Sequence, residues 1–202
     1  MADLPNYEYE EKLRSKGYST IAGVDEVGRG PIAGPVYAAA VILNPNHIPM
    51  DLNDSKKLSG RKRTLISEEI MKHADVSIGS ASEREIEEIN ILRASHLAMM
   101  RAIEGLKLTP NHVLIDGNLV PRDLTIPAIA IVRGDARSVS ISAASIMAKT
   151  SRDLLMCDLG QQFPGYGWDK NAGYPTKQHL NALQDLGAVS YTHLTLPTIL
   201  LV

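Results

Sequence analysis

The chain has 202 residues, 44% of them hydrophobic and 22% charged, which fits one sizeable globular domain with its own core. Lys and Arg number 21 against 23 Asp and Glu, a net charge of −2, which excludes a surface coated in positive charge but not a local basic patch. Cys157 is the single cysteine, so an intrachain disulfide and a thiolate-only metal site are both excluded, and a reducing, cytoplasmic setting is expected. The polar opening "MADLPNYEYEEKLRSKGY" does not read as a signal peptide, and no apolar run approaches the roughly 20 residues of a membrane helix.

In chain order, residues 1–17 read as an N-terminal extension. "STIAGVDE" and "PVYAAAVIL" then read as two strands of a hairpin with a wide Gly/Pro-rich connection. A helix is expected from about Ser59, with Leu65, Ile66 and Ile70 on one face. "DVSIGSA" reads as a short strand and "SEREIEEIN" as a short helix, opened by a capping box between Ser82 and Glu85. The following helix carries an apolar stripe of Leu92, Met99, Ile103 and Leu106, with Gly105 near its end. "HVLIDG" and "IPAIAIVRGD" read as strands, "SVSISAASIMAKTSRDLLM" as a helix rich in small residues, and "PTKQHLNALQDLG" as a last helix. Strands first and then strands alternating with helices predict an α/β domain with a mixed sheet. The final "YTHLTLPTILLV" is apolar and Thr-rich without helical or strand period, and does not read as part of the domain.

Three predicted strands end in acid: Asp25-Glu26, then Asp116 and Asp135, 90 and 19 residues further on. If those strands are neighbours, their ends bring four carboxylates to one point. Such a cluster repels itself unless divalent cations occupy it. Oxygen ligands without His or Cys favour Mg²⁺ or Mn²⁺, and two such ions are a device for in-line attack on a phosphodiester. Adjacent residues on a regular strand point to opposite faces, so Asp25 and Glu26 are expected to share a site only where the strand ends or bulges. Spacing alone leaves a second reading open, since Asp-Gly at 116–117 and the "RGDAR" turn are ordinary turn signals.

Gly28, Gly30 and Gly34 do not make a dinucleotide fingerprint: the third glycine is one residue late, prolines intervene, and a strand rather than a helix follows. Arg29 between two glycines reads either as a solvated residue of a tight turn or as a phosphate contact in a loop whose backbone comes close to a ligand. Lys56, Lys57, Arg61, Lys62 and Arg63 lie within eight residues, and read either as a solvated face or as a surface for a nucleic-acid backbone that Arg133, Arg137, Lys149 and Arg152 extend.

"AGVDEVGRGPIAGPV", "LNDSKKLS", "VLIDGN", "VRGDARSVSISAASIMAK" and "GYPTKQHL", in that order, resemble the ribonuclease HII family over residues 18–188. The resemblance implies a ribonuclease H-like α/β fold with a mixed central sheet flanked by helices. It implies metal-binding, catalytic carboxylates at Asp25, Glu26, Asp116 and Asp135, with Mn²⁺ or Mg²⁺ as cofactor. It places Gly28, Arg29 and Gly30 on a ribonucleotide's 2′-hydroxyl and the neighbouring phosphate, Tyr174 on the sugar of the adjoining nucleotide, and Lys56, Lys57 and Lys149 on the phosphate backbone. The implied substrate is RNA in an RNA–DNA hybrid or a single ribonucleotide embedded in duplex DNA, acted on by a monomer with no membrane attachment. Residues 189–202 depart from the family's pattern and are expected to be a non-native tail. The carboxylates alone also fit another metal-dependent nuclease or resolvase of this fold; the G-R-G loop and "GYPT" weigh against it. A non-catalytic hybrid-binding module would have an acid replaced, and none of the four is.

Overall fold

The computed structural model describes residues 4–193. Its centre is a five-stranded sheet in the order β3-β2-β1-β4-β5. Strands β1 (Ile21–Val27), β2 (Val36–Ile42) and β3 (Asp75–Ala81) form an antiparallel meander; β4 (His112–Asp116) and β5 (Ala128–Ile131) extend it in parallel from β1. The expected mixed α/β architecture is therefore present.

Helices cover both faces, so the central strands are apolar throughout rather than alternating. On β2, Ala38 and Ala40 face one side with Val24, Val113 and Ile115, against Ala98, Met99 and Ile103 of α3 (Glu83–Glu104). Ala39 and Val41 face the other, against Ile66 and Ile70 of α2 (Gly60–His73) and Ala143, Ala144 and Met147 of α4 (Val139–Gln162). The alanine run of β2 brings both helix layers in close.

The closest approach is at Gly23. A Cβ there would overlap the backbone of Ser140 and Ile141, so α4 lies directly on β1 only because position 23 has no side chain. The N-terminus of α4 is fixed from a second side by α1 (Glu8–Arg14), which the sequence reading did not find. Glu10 is buried there; its Oε1 accepts from Ser138 Oγ (2.6 Å) and the Ser140 backbone N–H (3.0 Å). That adds an acid at the positive end of the helix, where charge and dipole agree.

Helix starts match their sequence signals. Ser59 caps α2 and Ser82 caps α3 with the full capping box. Asn90 departs from helical geometry (φ 69°, ψ 163°), so α3 is two helical pieces, as the two sequence periods implied. The Asn90 side chain accepts from Leu92 N–H and Arg93 N–H, both at 3.1 Å, and so caps the second piece. Two stripe assignments need correction. Leu65 is 58% exposed and Leu92 37% exposed; Ile66, Ile70, Met99 and Ile103 are the buried members. An apolar residue at the margin of a helical face is placed by the neighbouring layer, which periodicity does not specify.

Past α4 come a short helix, α5 (Trp168–Asn171), and α6 (Lys177–Leu186), capped by Thr176 with Gly187 just after it. Residues 189–193 pack on the Gly/Pro-rich loop: Gly34 N–H donates to Tyr191 O (2.8 Å), and His193 N–H donates to Ile32 O (2.9 Å). The rest of the expected tail, 194–202, lies outside the described residues. No helix among the described residues is long and apolar enough to cross a membrane.

A strand glycine replaced by alanine ordinarily gains stability or changes it little. Gly23→Ala is expected to do the reverse, costing about 3 kcal/mol through overpacking against α4; a lower urea midpoint with unchanged slope is the measurement.

Candidate active site

The four acids of the sequence reading come to one region, by a route other than the expected one. No bulge or strand end separates Asp25 from Glu26. The β1–β2 register runs unbroken through Asp25↔Ala39, Glu26↔Ala38 and Val27↔Tyr37. The parallel pairing of β1 with β4 instead stops at Val24↔Ile115, one step short of Asp25 and Asp116. The two aspartates thus face each other across the place where the ladder opens. Glu26 approaches from the opposite pleat, and Asp135 from a 3₁₀ turn (Gly134–Ala136) that follows β5. Arg133, in left-handed conformation (φ 55°), turns the chain back so that Gly134 N–H donates to Asp116 Oδ1 at 2.6 Å.

Electrostatics record the convergence. Asp25 is buried, and burial first, then the charges of Glu26 and Asp116, push its carboxyl well above the usual range; Ser145 opposes this by hydrogen bonding, and Asp135 adds to it. Asp116 is raised by burial and by Glu26, against the backbone N–H of Gly134. Asp135 is raised by burial, then by Asp116 and by Asp54. Asp54, in "LNDSKKLS", thereby joins the acidic region, and Ser145 is the neutral hydrogen-bonding partner of Asp25. Both stood inside motifs of the sequence, but neither had a spacing that singled it out.

The donor set fits divalent cations: four carboxylates, of which Asp25, Asp116 and Asp135 are pushed up by burial and by neighbouring acids. They do not form one tight cage. Among the described residues, no three of them bring an oxygen each within 4.8 Å of one another. A pair of ions about 4 Å apart calls for such a wider arrangement.

Beside the acids lies the loop 28–35. Gly28 is buried with φ 111°, and a Cβ on it would meet Arg152 Nε and Pro35 O. Arg29 is exposed, and its Nη1 lies 3.2 Å from Glu26 Oε1. Gly30 is exposed against Tyr174, whose Cε1 is 3.2 Å from where a Cβ would stand. The loop is held from beneath by Arg152 of α4, fully buried. Its Nε donates to Pro35 O (3.0 Å), Nη2 to Ala33 O (2.9 Å) and Nη1 to Ala172 O (2.9 Å). One guanidinium thus ties the G-R-G loop to the segment that carries Tyr174; a planar fork of donors can do this and an ammonium cannot.

Tyr174 is 40% exposed and has its own support. Trp168 Nε1–H donates to His179 Nε2 at 3.0 Å, which leaves His179 Nδ1–H to donate to Tyr174 O at 2.9 Å. Burial holds His179 below its ordinary pKa, in keeping with this neutral form.

The lysines differ from one another. Lys56 and Lys57 are exposed on the turn after Asp54, and Lys56 is near enough to Asp135 to lower its pKa. Lys149 is turned inward: its Nζ is 2.6 Å from Asp153 Oδ1, and Arg63 reaches the other oxygen at 3.0 Å.

The family model described as ribonuclease HII matches residues 22–199, past the Ala188 where the motifs end. Ribonuclease HII of Ruegeria pomeroyi is 56% identical over 195 residues, covering 96% of this chain and 83% of its own. The chain belongs to the ribonuclease HII family. It is accordingly a ribonuclease H, an endoribonuclease acting on RNA in RNA–DNA hybrids. The fold agrees. Ribonuclease H2 of Pyrococcus horikoshii superposes with TM-score 0.73 at 23% identity, covering 86% of this chain and 92% of that one. Bst-RNase HIII, solved in complex with Mn²⁺, superposes with TM-score 0.58 at 18% identity, covering 74% and 57%. Enzymes of the ribonuclease H type use divalent metals.

Two outcomes are expected. Arg152→Leu, which strands the buried carbonyls of Ala33 and Pro35 and the half-buried one of Ala172, should cost about 3 kcal/mol or more in chemical denaturation. For Asp25 the folded pKa lies above the unfolded one, so its contribution to stability is complete below about pH 4 and is lost as pH rises through the raised value. In chelator, Asp25→Asn should therefore melt higher than the parent at neutral pH, with the gap closing on acidification; scanning calorimetry across pH reads it.

Proposed function

We propose that this chain is a divalent-metal-dependent endonuclease that cuts RNA in RNA–DNA hybrids and nicks duplex DNA on the 5′ side of a single embedded ribonucleotide, leaving a 3′-hydroxyl and a 5′-phosphate. The observation that carries the reading is the convergence of Asp25, Glu26, Asp116 and Asp135 beside a G-R-G loop whose Gly30 meets Tyr174.

Asp25, Glu26, Asp116 and Asp135 would hold Mg²⁺ or Mn²⁺, which supplies an activated water and stabilises the leaving 3′ oxygen. Asp25, desolvated and fixed by the β1 ladder, positions its carboxylate without reorganisation. Exposed backbone groups of Gly28, Arg29 and Gly30 would read the 2′-hydroxyl, the group by which a protein tells RNA from DNA. Arg29 would bind the adjacent phosphate in exchange for Glu26. Tyr174 packs on the sugar of the neighbouring nucleotide, its ring fixed at the distance Arg152 and His179 set. Lys56 and Lys57 contact the phosphate backbone; Lys149 does so only by giving up Asp153. Residues 18–188 form the catalytic domain, acting as a monomer in the cytoplasm, in removal of misincorporated ribonucleotides and clearance of primers.

The test is cleavage of a labelled DNA duplex carrying one ribonucleotide, with Mg²⁺, with Mn²⁺ and with chelator. A metal-dependent nick just 5′ of the ribonucleotide is expected. Metal-independent cutting, or cutting of long hybrid without the single-site nick, would overturn the metal or the junction part of the proposal. Asp25→Asn should abolish cleavage. Tyr174→Ala should lower the rate at the single ribonucleotide about tenfold or more, as loss of one stacking contact does, and affect long hybrid less.

A further inference from the structure

Far along α2 from its start near the lysine turn, three side chains outside the active site share one point. Glu69 and His73 stand one helical turn apart on the last turns of α2, so their side chains lie on the same face. His47 reaches them from the connection between β2 and α2. His47 Nε2 is 2.7 Å and His73 Nε2 3.6 Å from the same Glu69 Oε1. The two imidazole rings stack with centroids 3.7 Å apart at 33°. Among the described residues this is the trio of His, Cys, Asp or Glu whose donor atoms all lie within 4.8 Å of one another. Nothing in the nuclease reading uses it.

We infer that His47, Glu69 and His73 form a binding site for a divalent transition metal, zinc above all. Two imidazoles and one carboxylate with an open fourth position are a zinc donor set. Bonds of about 2.0–2.1 Å in a tetrahedron put donors about 3.3 Å apart, and the two donor separations of 2.7 and 3.6 Å bracket that value. A small rotation of either ring is enough. The three side chains are 40–43% exposed, so an ion has a path in and a water can complete its shell. The donor chemistry favours it: two imidazole nitrogens and one carboxylate converge on one point, with room for water as a fourth ligand. Hardness separates this site from the carboxylates near Asp25. Mg²⁺ seeks oxygen donors and keeps its waters, whereas imidazole selects the borderline-soft ions. Occupancy would clasp residues 43–59, the connection that carries Lys56 and Lys57, to the end of α2. It would also stabilise the fold by mass action.

The experiment is calorimetric titration of the full chain with Zn²⁺ in the presence of excess Mg²⁺, repeated on His47→Ala, His73→Ala and Glu69→Gln. The parent should bind one equivalent. Each variant should bind at least about tenfold more weakly, since even outer partners of a metal cost that much when lost. Zn²⁺ should raise the melting temperature of the parent and not of the variants, and Asp25→Asn should bind as the parent does. His47 and His73 are exposed and Glu69 half-buried, and circular dichroism verifies that each variant is folded. Equal zinc affinity in parent and variants, loss of the equivalent in Asp25→Asn instead, or no zinc bound by the parent would each overturn the assignment. The last would leave the trio a hydrogen-bonded cluster only.

Discussion

The contact between Gly23 and the Ser140–Ile141 backbone is the constraint from which the site hangs. It seats α4 on β1, and α4 then carries Ser145 to Asp25, Arg152 to the loop carbonyls, and Asp153 to Arg63 and Lys149. These partners lie along one rigid helix, so their spacing is fixed by its rise and turn. If the helix stood off from the strand by the thickness of a methyl group, the support of the carboxylates and of the glycine loop would be lost together. That is why a residue with no side chain sits two positions before the first acid.

The second constraint is electrostatic. A fold that gathers Asp25, Glu26, Asp116 and Asp135, with Asp54 near, accepts repulsion among them. The surrounding cations are placed to temper this without abolishing it: Arg29 on Glu26, Lys56 near Asp135. Neither is buried, so in the proposed function each would exchange its carboxylate for a phosphate at little cost in desolvation. Arg152, by contrast, is spent wholly on backbone carbonyls and takes no part in that exchange. Arg29 is exposed and paired with one carboxylate, whereas Arg152 is buried and structural.

Much of this was legible in the sequence, for identifiable reasons. Capping residues such as Ser59, Ser82 and Thr176 act locally, and each began a helix where expected. Strands buried on both faces read as apolar runs, and the four acids at or after the ends of three predicted strands came to the same region. The motif resemblance added the order of the elements and the family. What stayed hidden depends on contacts distant in sequence. Helix α1 has little amphipathic signal, and it is placed by two residues, Leu13 in the core and the buried Glu10 on α4. The margins of the α2 and α3 stripes, Leu65 and Leu92, are decided by which layer lies above them. The pairing of Asp25 with Asp116 follows from where the parallel ladder stops, not from any feature of "VDEVGRG" itself. The duties of Arg152 and His179 required knowing which carbonyls lie within their reach.

Trp168 is the chain's single tryptophan, and it is fully buried, with Tyr166 and Phe163 ring centroids 5.0 and 5.8 Å away. Its indole N–H ends on His179, and His179 ends on the backbone of Tyr174. The molecule therefore carries a built-in optical reporter two hydrogen bonds from the residue proposed to rest on the nucleic acid. Its emission comes from one chromophore in one environment. A shift in that emission when a nucleic acid arrives would report on the Tyr174 segment with no label attached.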